Sequence, residues 1–225
     1  MTTNAFLLES MASPLQKAGL TEINVSLDAI DNDIFYKVSR KKGVDKVIAG
    51  ILAATKIGLT TKLNMVVMKG INDSQILPVL NFAIKNKIKI RFLELMKMGH
   101  LADSNAINSQ FLSLSDMLKV ISSTYQFSKL SRTDGATAEY YQINDSNFNF
   151  GVIANESKPF CGDCNRLRLD QFGNIYGCLS SNIPISIKQD VDDSVLLTNH
   201  LRTALSHKQA VKFTGSNLSM MKIGG

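Results

Sequence analysis

The sequence predicts an α/β protein: a run of parallel βα units over residues 1–99, then a β-rich region that carries the cysteines. Three observations predict it. Apolar residues recur at helical spacing in 5–18, 44–58 and 74–87. Short β-rich runs at 22–29, 61–68 and 88–96 alternate with them. After Gly99 the alternation stops and several β-like runs follow one another. Regular alternation with connectors of this length implies parallel pairing, in an open sheet or a barrel.

Taken in order, residues 5–18 place Leu7, Leu8, Met11 and Leu15 on one helical face, and Gly19 is positioned to end that helix. The run EINVSLDA (22–29) is a strand entering an acidic loop. Val44, Val47, Ile48, Ile51 and Leu52 give a second helix that ends at Gly58. TKLNMVVM (61–68) is the next strand. A third helix over 74–87 takes Asp73 as its N-cap, with Pro78 in its early turns. IKIRFLELM (88–96) is the third strand. Ligands in parallel βα folds sit at the C-terminal strand ends. Ser26, Asp28, Asn64, Glu94 and Met96 are the polar or soft residues assigned there.

Beyond Gly99, GHLADSNAINSQ is loop-like, and SLSDMLKVISSTY is a helix capped by Ser113 or Ser115. The β-like runs are TAEYYQI, FNFGVIA, a hairpin over 166–178 around QFGN, and IPISIK. DDSVLLTNHLRTALSHK closes the order as an amphipathic helix. The expected division is into residues 1–99 and 100–225.

The 225 residues are 44% apolar and 20% charged, an ordinary composition for a folded chain of one large or two small domains. No apolar run approaches the roughly 20 residues that span a bilayer, so no membrane partner is expected. The N-terminal apolar patch has no basic residue ahead of it and does not read as a secretory signal. The net charge of +6 favours anionic partners, or serves solubility. Aromatics at 7% and the absence of tryptophan argue against a base-stacking nucleic-acid module.

The three cysteines, Cys161, Cys164 and Cys178, have the spacing C-x2-C-x13-C. Three thiols cannot all pair, and a CxxC turn followed by a returning hairpin gathers sulfurs at one centre. Spacing leaves three readings open: zinc, with a fourth ligand from elsewhere; a [4Fe–4S] cluster with one iron not held by cysteine; or unligated thiols. A reducing cytoplasm is the natural setting. Arg166 and Arg168 stand two apart on the predicted strand and so share a face. They serve either as a solvated pair, with Leu167 and Leu169 packing inward, or as guanidinium forks for a phosphate or a purine edge.

The segment PFCGDCNRLRL, with YGCL after it, resembles the C-terminal signature of the GTP 3′,8-cyclase family, the radical S-adenosylmethionine enzymes of molybdenum-cofactor biosynthesis. TTNAFLL, AGLTEINVSLDAID, VVMKGINDSQI, IRFLELMKMG and the terminal IGG resemble further family stretches in the same order. The resemblance implies an incomplete (β/α) barrel of the radical S-adenosylmethionine type, followed by a β-rich region with an iron–sulfur site. By this resemblance Cys161, Cys164 and Cys178 ligate an auxiliary [4Fe–4S] cluster whose open iron takes the guanine of GTP. Thr2, Lys62, Arg166, Leu167 and Arg168 match GTP-contacting positions, and Ser26 and Met96 match positions that contact S-adenosylmethionine. Gly224 and Gly225 match a double-glycine tail that reaches the active site. The implied lyase reaction converts GTP to (8S)-3′,8-cyclo-7,8-dihydroguanosine 5′-triphosphate. The implied pathway partner is a cyclic pyranopterin monophosphate synthase, and a homodimer is among the assemblies the family allows.

The sequence also departs from the family. The C-x3-C-x2-C motif that holds the S-adenosylmethionine-cleaving cluster is absent, and Ala5 stands where the family usually has glycine. The expectation is an N-terminally truncated form, inactive alone, with the second [4Fe–4S] cluster only in the full-length enzyme. The alternative from another class is a non-catalytic, zinc-bound basic module that binds nucleic acid.

Overall fold

The computed structural model describes residues 1–102 and 106–223. The helices are α1 (Leu8–Lys17), α2 (Asn32–Ser39), α3 (Val44–Lys56), α4 (Ile76–Lys85), α5 (Ala106–Gln110), α6 (Leu114–Ser122) and α7 (Ser194–Ser206). The strands are β1 (Thr2–Thr3), β2 (Glu22–Ser26), β3 (Thr60–Val67), β4 (Lys89–Glu94) and β5 (Phe127–Lys129). They continue with β6 (Glu139–Ile143), β7 (Asn149–Ile153), β8 (Arg168–Leu169), β9 (Asn174–Tyr176) and β10 (Ile185–Ser186). The chain forms two compact units. One comprises Met1–Leu95, Gln110–Arg132 and Ala138–Ile153; the other comprises Met96–Ser109, Thr133–Thr137 and Ala154–Gly225.

The first unit is built on a seven-stranded sheet of order β1-β2-β3-β4-β7-β6-β5. The strands β1, β2, β3, β4 and β7 run parallel, as the βα alternation predicts, and β6 and β5 complete the sheet antiparallel. Burial alternates along β3: Thr61, Leu63, Met65 and Val67 are buried, while Lys62, Asn64 and Val66 are half-buried. The buried rows of β2, β3 and β4 join Leu8, Val47, Ile51 and Leu80 from the helices in one core. Burial of apolar area of this kind is the main stabilising term of such a unit.

Several local expectations are corrected. The inward face of α1 is formed by Leu8 and Ala12, while Leu7 and Met11 are 75% and 43% exposed. The reason is close approach: a Cβ on Gly50 of α3 would lie 2.8 Å from the Ala5 carbonyl, so α1 meets α3 through small residues. Ala5 itself has φ 60°, in the left-handed region that glycine occupies without strain. Asp73 does not cap α4. It lies in a 3-10 turn, Asp73–Gln75, and accepts from the Gly70 amide (3.0 Å). Helix α2 has no counterpart in the sequence reading; Asp31 caps it, accepting from the amides of Asp33 and Ile34 (3.0 and 2.9 Å). At α6 the capping box is complete, with Ser113 as the cap.

Packing does not follow the expected 99/100 division. β7 pairs parallel with β4, in the register Ile90 with Phe150, and so residues beyond 99 belong to the first unit. Four aromatic rings fasten this extension: Tyr141 stacks on Phe150 at 5.4 Å, and Phe127 and Phe92 meet Phe150 edge-on at 5.3 and 6.4 Å.

The second unit has a three-stranded antiparallel sheet of order β10-β9-β8. The β8–β9 hairpin falls where expected. Its turn is held by the Asp170 carboxylate, which accepts from the amides of Phe172 and Asn174 (2.8 and 2.9 Å) and from the Tyr176 hydroxyl (3.2 Å). A small core gathers Met98, Tyr176, Phe213 and Ile223, with Met96 packed against it. Helix α7, capped by Asp193, buries Ala204 but leaves Val195 and Leu196 exposed. The stretch predicted as a loop after Gly99 contains a 3-10 turn, Gly99–Leu101, and the short helix α5. The predicted Gly224 and Gly225 tail lies outside the described residues.

Candidate functional site

The residues singled out in the sequence fall into two groups, one in each unit. In the first unit, parallel register places Thr2, Asn24, Lys62 and Lys89 in one row across β1, β2, β3 and β4. Laterally paired residues of a parallel sheet share a face. Two of the predicted nucleotide contacts, Thr2 and Lys62, therefore stand on the same sheet face. The Lys62 ammonium is 2.8 Å from the Glu22 carboxylate, and this lysine, with Lys89 ahead of others, holds that carboxyl below its usual range.

A cavity of about 770 Å³ opens on this face, with Lys62, Lys87, Lys89, Tyr140 and Asn149 among its lining. The charged residues of its described lining are all lysines, of which Lys62 is paired with Glu22, so the field from Lys87 and Lys89 favours an anion. The next row carries Ser26, Asn64 and Arg91. Arg91 donates from Nε to Asn64 Oδ1 (2.9 Å) and from Nη2 to Asn24 Oδ1 (2.7 Å), which fixes both amides. Asn64 is thus in mid-strand rather than at the strand end. Glu94 is also not a free strand-end ligand: it is buried and accepts from the Leu114 amide (2.8 Å).

Ser26 and Asp28 line a smaller cavity of about 230 Å³ together with Asn4, Phe6, Phe35 and Lys41. Asp28 keeps part of its surface open to that cavity, yet burial of the carboxyl raises its pKa to about 6. The Val66 amide, donating at 2.8 Å, acts in the opposite direction. Its backbone carbonyl accepts from Asn72 Nδ2 (3.0 Å), and Gln75 accepts from the amides of Ile30 and Asp31. This network joins Asp28 to Asn72 and Gln75, for which the sequence analysis assigns no role, and it sets the loop after β2. Met96 belongs to the second unit.

In the second unit, Cys161 and Cys164 bracket a 3-10 turn, Cys161–Asp163, closed by the Cys164 amide donating to the Cys161 carbonyl (3.2 Å). Cys178 follows β9, and its sulfur accepts from the Ser180 amide (3.5 Å). All three are free thiols. Burial pushes the Cys161 thiol up, and negative charge on Cys178 and Cys164 adds to that. Burial also opposes ionisation of Cys164. The Arg166 amide and the Lys208 ammonium outweigh it and hold that thiol below its ordinary value. Among the described residues, no three His, Cys, Asp or Glu side chains stand at metal-holding spacing. The donor set itself, three soft thiols beside cations, is the chemistry that zinc or an iron–sulfur cluster takes.

Arg168 is half-buried and Arg166 exposed. Burial lowers the Arg168 pKa, and negative charge on Cys164 and Cys178 raises it, which ties this guanidinium to the thiols. Leu169 is 56% exposed, so the expectation that it packs inward is corrected; Leu167 is half-buried. The loop over 133–137 clamps the cysteine turn at Gly135. Its amide donates to the Asp163 carboxylate (3.0 Å), and its carbonyl accepts from Arg166 Nη1 (2.8 Å). A Cβ on Gly135 would lie 2.9 Å from Asn165 Nδ2 at φ +71°, so glycine alone suits this clamp. Neither Gly135 nor Lys208 carries a sequence signal, because each reaches the site across a long stretch of chain. His200 is engaged with Asp190 (2.8 Å).

Comparison with known proteins agrees with the order of motifs. The profile of Molybdenum Cofactor Synthesis C matches residues 88–214, and that of the Radical SAM superfamily matches residues 1–83. A Staphylococcus carnosus protein described as GTP 3′,8-cyclase is 37% identical over 185 residues, 81% of this chain and 54% of its own length. Proteins of the same description from Campylobacter lari and Staphylococcus aureus are each 36% identical, covering 85% and 87% of this chain and 58% and 59% of their own. The chain thus spans a little over half the length of these relatives.

Proposed function

We propose, from the premise that this chain belongs to the Molybdenum Cofactor Synthesis C family, that it is the cluster- and GTP-binding portion of a GTP 3′,8-cyclase. The observation that carries this is that the C-x2-C-x13-C set sits on two backbone segments tied by one cation: Cys161 and Cys164 at one turn and Cys178 just past β9, with Lys208 Nζ donating to the carbonyls of Arg166 and Gly177. Cys161, Cys164 and Cys178 would hold an auxiliary [4Fe–4S] cluster. In the reaction of the family, radical chemistry supplied by S-adenosylmethionine and iron–sulfur clusters joins C3′ of the GTP ribose to C8 of guanine.

The chain's own residues bind and orient. Arg166 and Arg168 offer planar forks to an anionic or purine partner, and Leu167 lies between them. Lys62 and Thr2 present a cation and a hydroxyl on the sheet face, for the anionic end of GTP. Ser26 and Met96 are assigned to S-adenosylmethionine, and Gly224 and Gly225 to a tail that closes on the substrate. The family assignment further proposes an incomplete barrel completed by additional βα strands. In that assignment residues 1–99 supply Ser26 and Met96 to S-adenosylmethionine and Thr2 and Lys62 to GTP, and residues 100–225 supply the cluster ligands with Arg166 and Arg168. The product passes to a cyclic pyranopterin monophosphate synthase, from a homodimer, in a cytoplasm that keeps the thiols reduced.

Anaerobic reconstitution with iron and sulfide tests the cluster. The chain is expected to hold close to one [4Fe–4S] unit, and Cys161→Ser, Cys164→Ser or Cys178→Ser to abolish it. Stoichiometric zinc with no brown chromophore would overturn the assignment. Charged hydrogen bonds contribute about 1.5–3 kcal/mol each. Arg166→Ala and Arg168→Ala should therefore each weaken GTP binding by roughly tenfold or more. Unchanged affinity in both would remove them from the GTP site.

A further inference from the structure

We infer that Lys208 is a positioning residue that ties the two cysteine-bearing segments together. The inference rests on reading Cys161, Cys164 and Cys178 as one metal-binding set. Cys164 and Cys178 come from different pieces of backbone, the end of a turn and the segment just past the far strand of a hairpin, and a shared ligand requires both to be held. The Lys208 Nζ donates to the Arg166 carbonyl (2.6 Å), two residues after Cys164. It also donates to the Gly177 carbonyl (2.8 Å), immediately before Cys178. An ammonium has three donors and no acceptor capacity, and two of them are engaged with backbone carbonyls on the two cysteine-bearing segments.

The lysine is delivered by α7. The helix ends at Ser206, His207 caps it, and Lys208 follows with its amide donating to the Leu205 carbonyl (3.2 Å). The helix end is seated on β9 backbone to backbone: a Cβ on Gly177 would lie 1.8 Å from the Ala204 carbonyl oxygen. One helix terminus therefore fixes both where the cation sits and where Cys178 begins. Loss of the ammonium would leave the carbonyls of Arg166 and Gly177 without this donor and free the turn from the hairpin. The role asks for a cation with donors to two carbonyls on separate segments, which a guanidinium with its several N–H groups can also fill.

The test uses the whole reduced chain, oxygen-free, with cadmium as a thiophilic probe read by its thiolate charge-transfer absorbance. Lys208→Met, which keeps the apolar stem, should bind cadmium roughly tenfold or more weakly than the parent, about 1.4 kcal/mol. Lys212→Met, at an exposed lysine nearby in sequence, should be unchanged. Parent-like affinity in Lys208→Met overturns the inference. Should that variant fail to fold, Lys208→Arg decides: affinity within about threefold of the parent supports a tethering cation, and a loss of tenfold overturns it. A parent that binds cadmium through three thiols but never forms an iron–sulfur cluster sinks the cluster assignment while leaving the tether supported. A parent that binds no cadmium overturns both.

Discussion

Asp28 shows how one side chain carries a cost that the rest of the fold absorbs. Its folded pKa of about 6 lies above its ordinary value of 3.8, because the carboxyl is desolvated. The native state therefore holds the proton more tightly than the unfolded state does. Between those two values stability falls as pH rises, and above pH 6 the loss is complete. The loss is up to about 2 kcal/mol after allowance for the carboxyl's partial exposure. Asp28→Asn keeps an oxygen for the Val66 amide and removes the charge. Its melting temperature should exceed that of the parent at pH well above 6, and the two should converge as pH falls toward 3.8. A parent whose stability does not fall across that window would contradict the assigned environment. Residues such as this are partly legible: the sequence places Asp28 near a strand end, but the cavity that it lines is closed by Phe6, Phe35 and Val38, which no local pattern brings to it.

At the scale of elements, the hairpin and α7 form one mechanical unit, and Gly177 is its contact point. Gly177→Ala drives a methyl into the Ala204 carbonyl, which is backbone and cannot rotate away. Overpacking of this kind costs about 1–3 kcal/mol, occasionally more. The variant should melt earlier, and its iron content after reconstitution should fall with it. Retention of both would show that α7 can move without consequence. The long, strongly periodic elements were legible in the sequence: α3, α4 and the three βα strands all appear where periodicity puts them. The inward face of α1 was not, because Leu7 and Met11 outweigh Ala12 in any hydrophobic count, while close packing against Gly50 favours the smaller residue. The short strand β5 was not either. It is held by Phe127 against Tyr141 and Phe150, and three residues are too few to show a period. The three cysteines and two arginines can be read together from the sequence, because they lie in one short stretch; Gly135 and Lys208 cannot, because they reach that stretch only through the tertiary fold.

For the molecule as a whole, the count of thiols sets the chemistry open to it. Three cysteines furnish one three-thiolate set, and a second cluster would need three more. The reconstituted chain, given strong reductant, S-adenosylmethionine and GTP, should release no 5′-deoxyadenosine. Multiple-turnover release would show that radical generation resides in these 225 residues after all.

The parallel pairing of β7 with β4 also bears on how the chain acquires its structure in time. The first unit is discontinuous: it needs Met1–Leu95, then Gln110–Arg132, then Ala138–Ile153. A nascent chain that has emerged only to residue 99 leaves β4 with an unpaired edge and Phe92 without Phe150. Such long-range pairing is slow to form and exposes an aggregation-prone edge until it does. Arrested at residue 99, the polypeptide should be protease-sensitive and retained by chaperones. Arrested past residue 153, with that segment clear of the ribosome, the first unit should become resistant in a single step, since the last of its seven strands to be made is the one that locks the sheet.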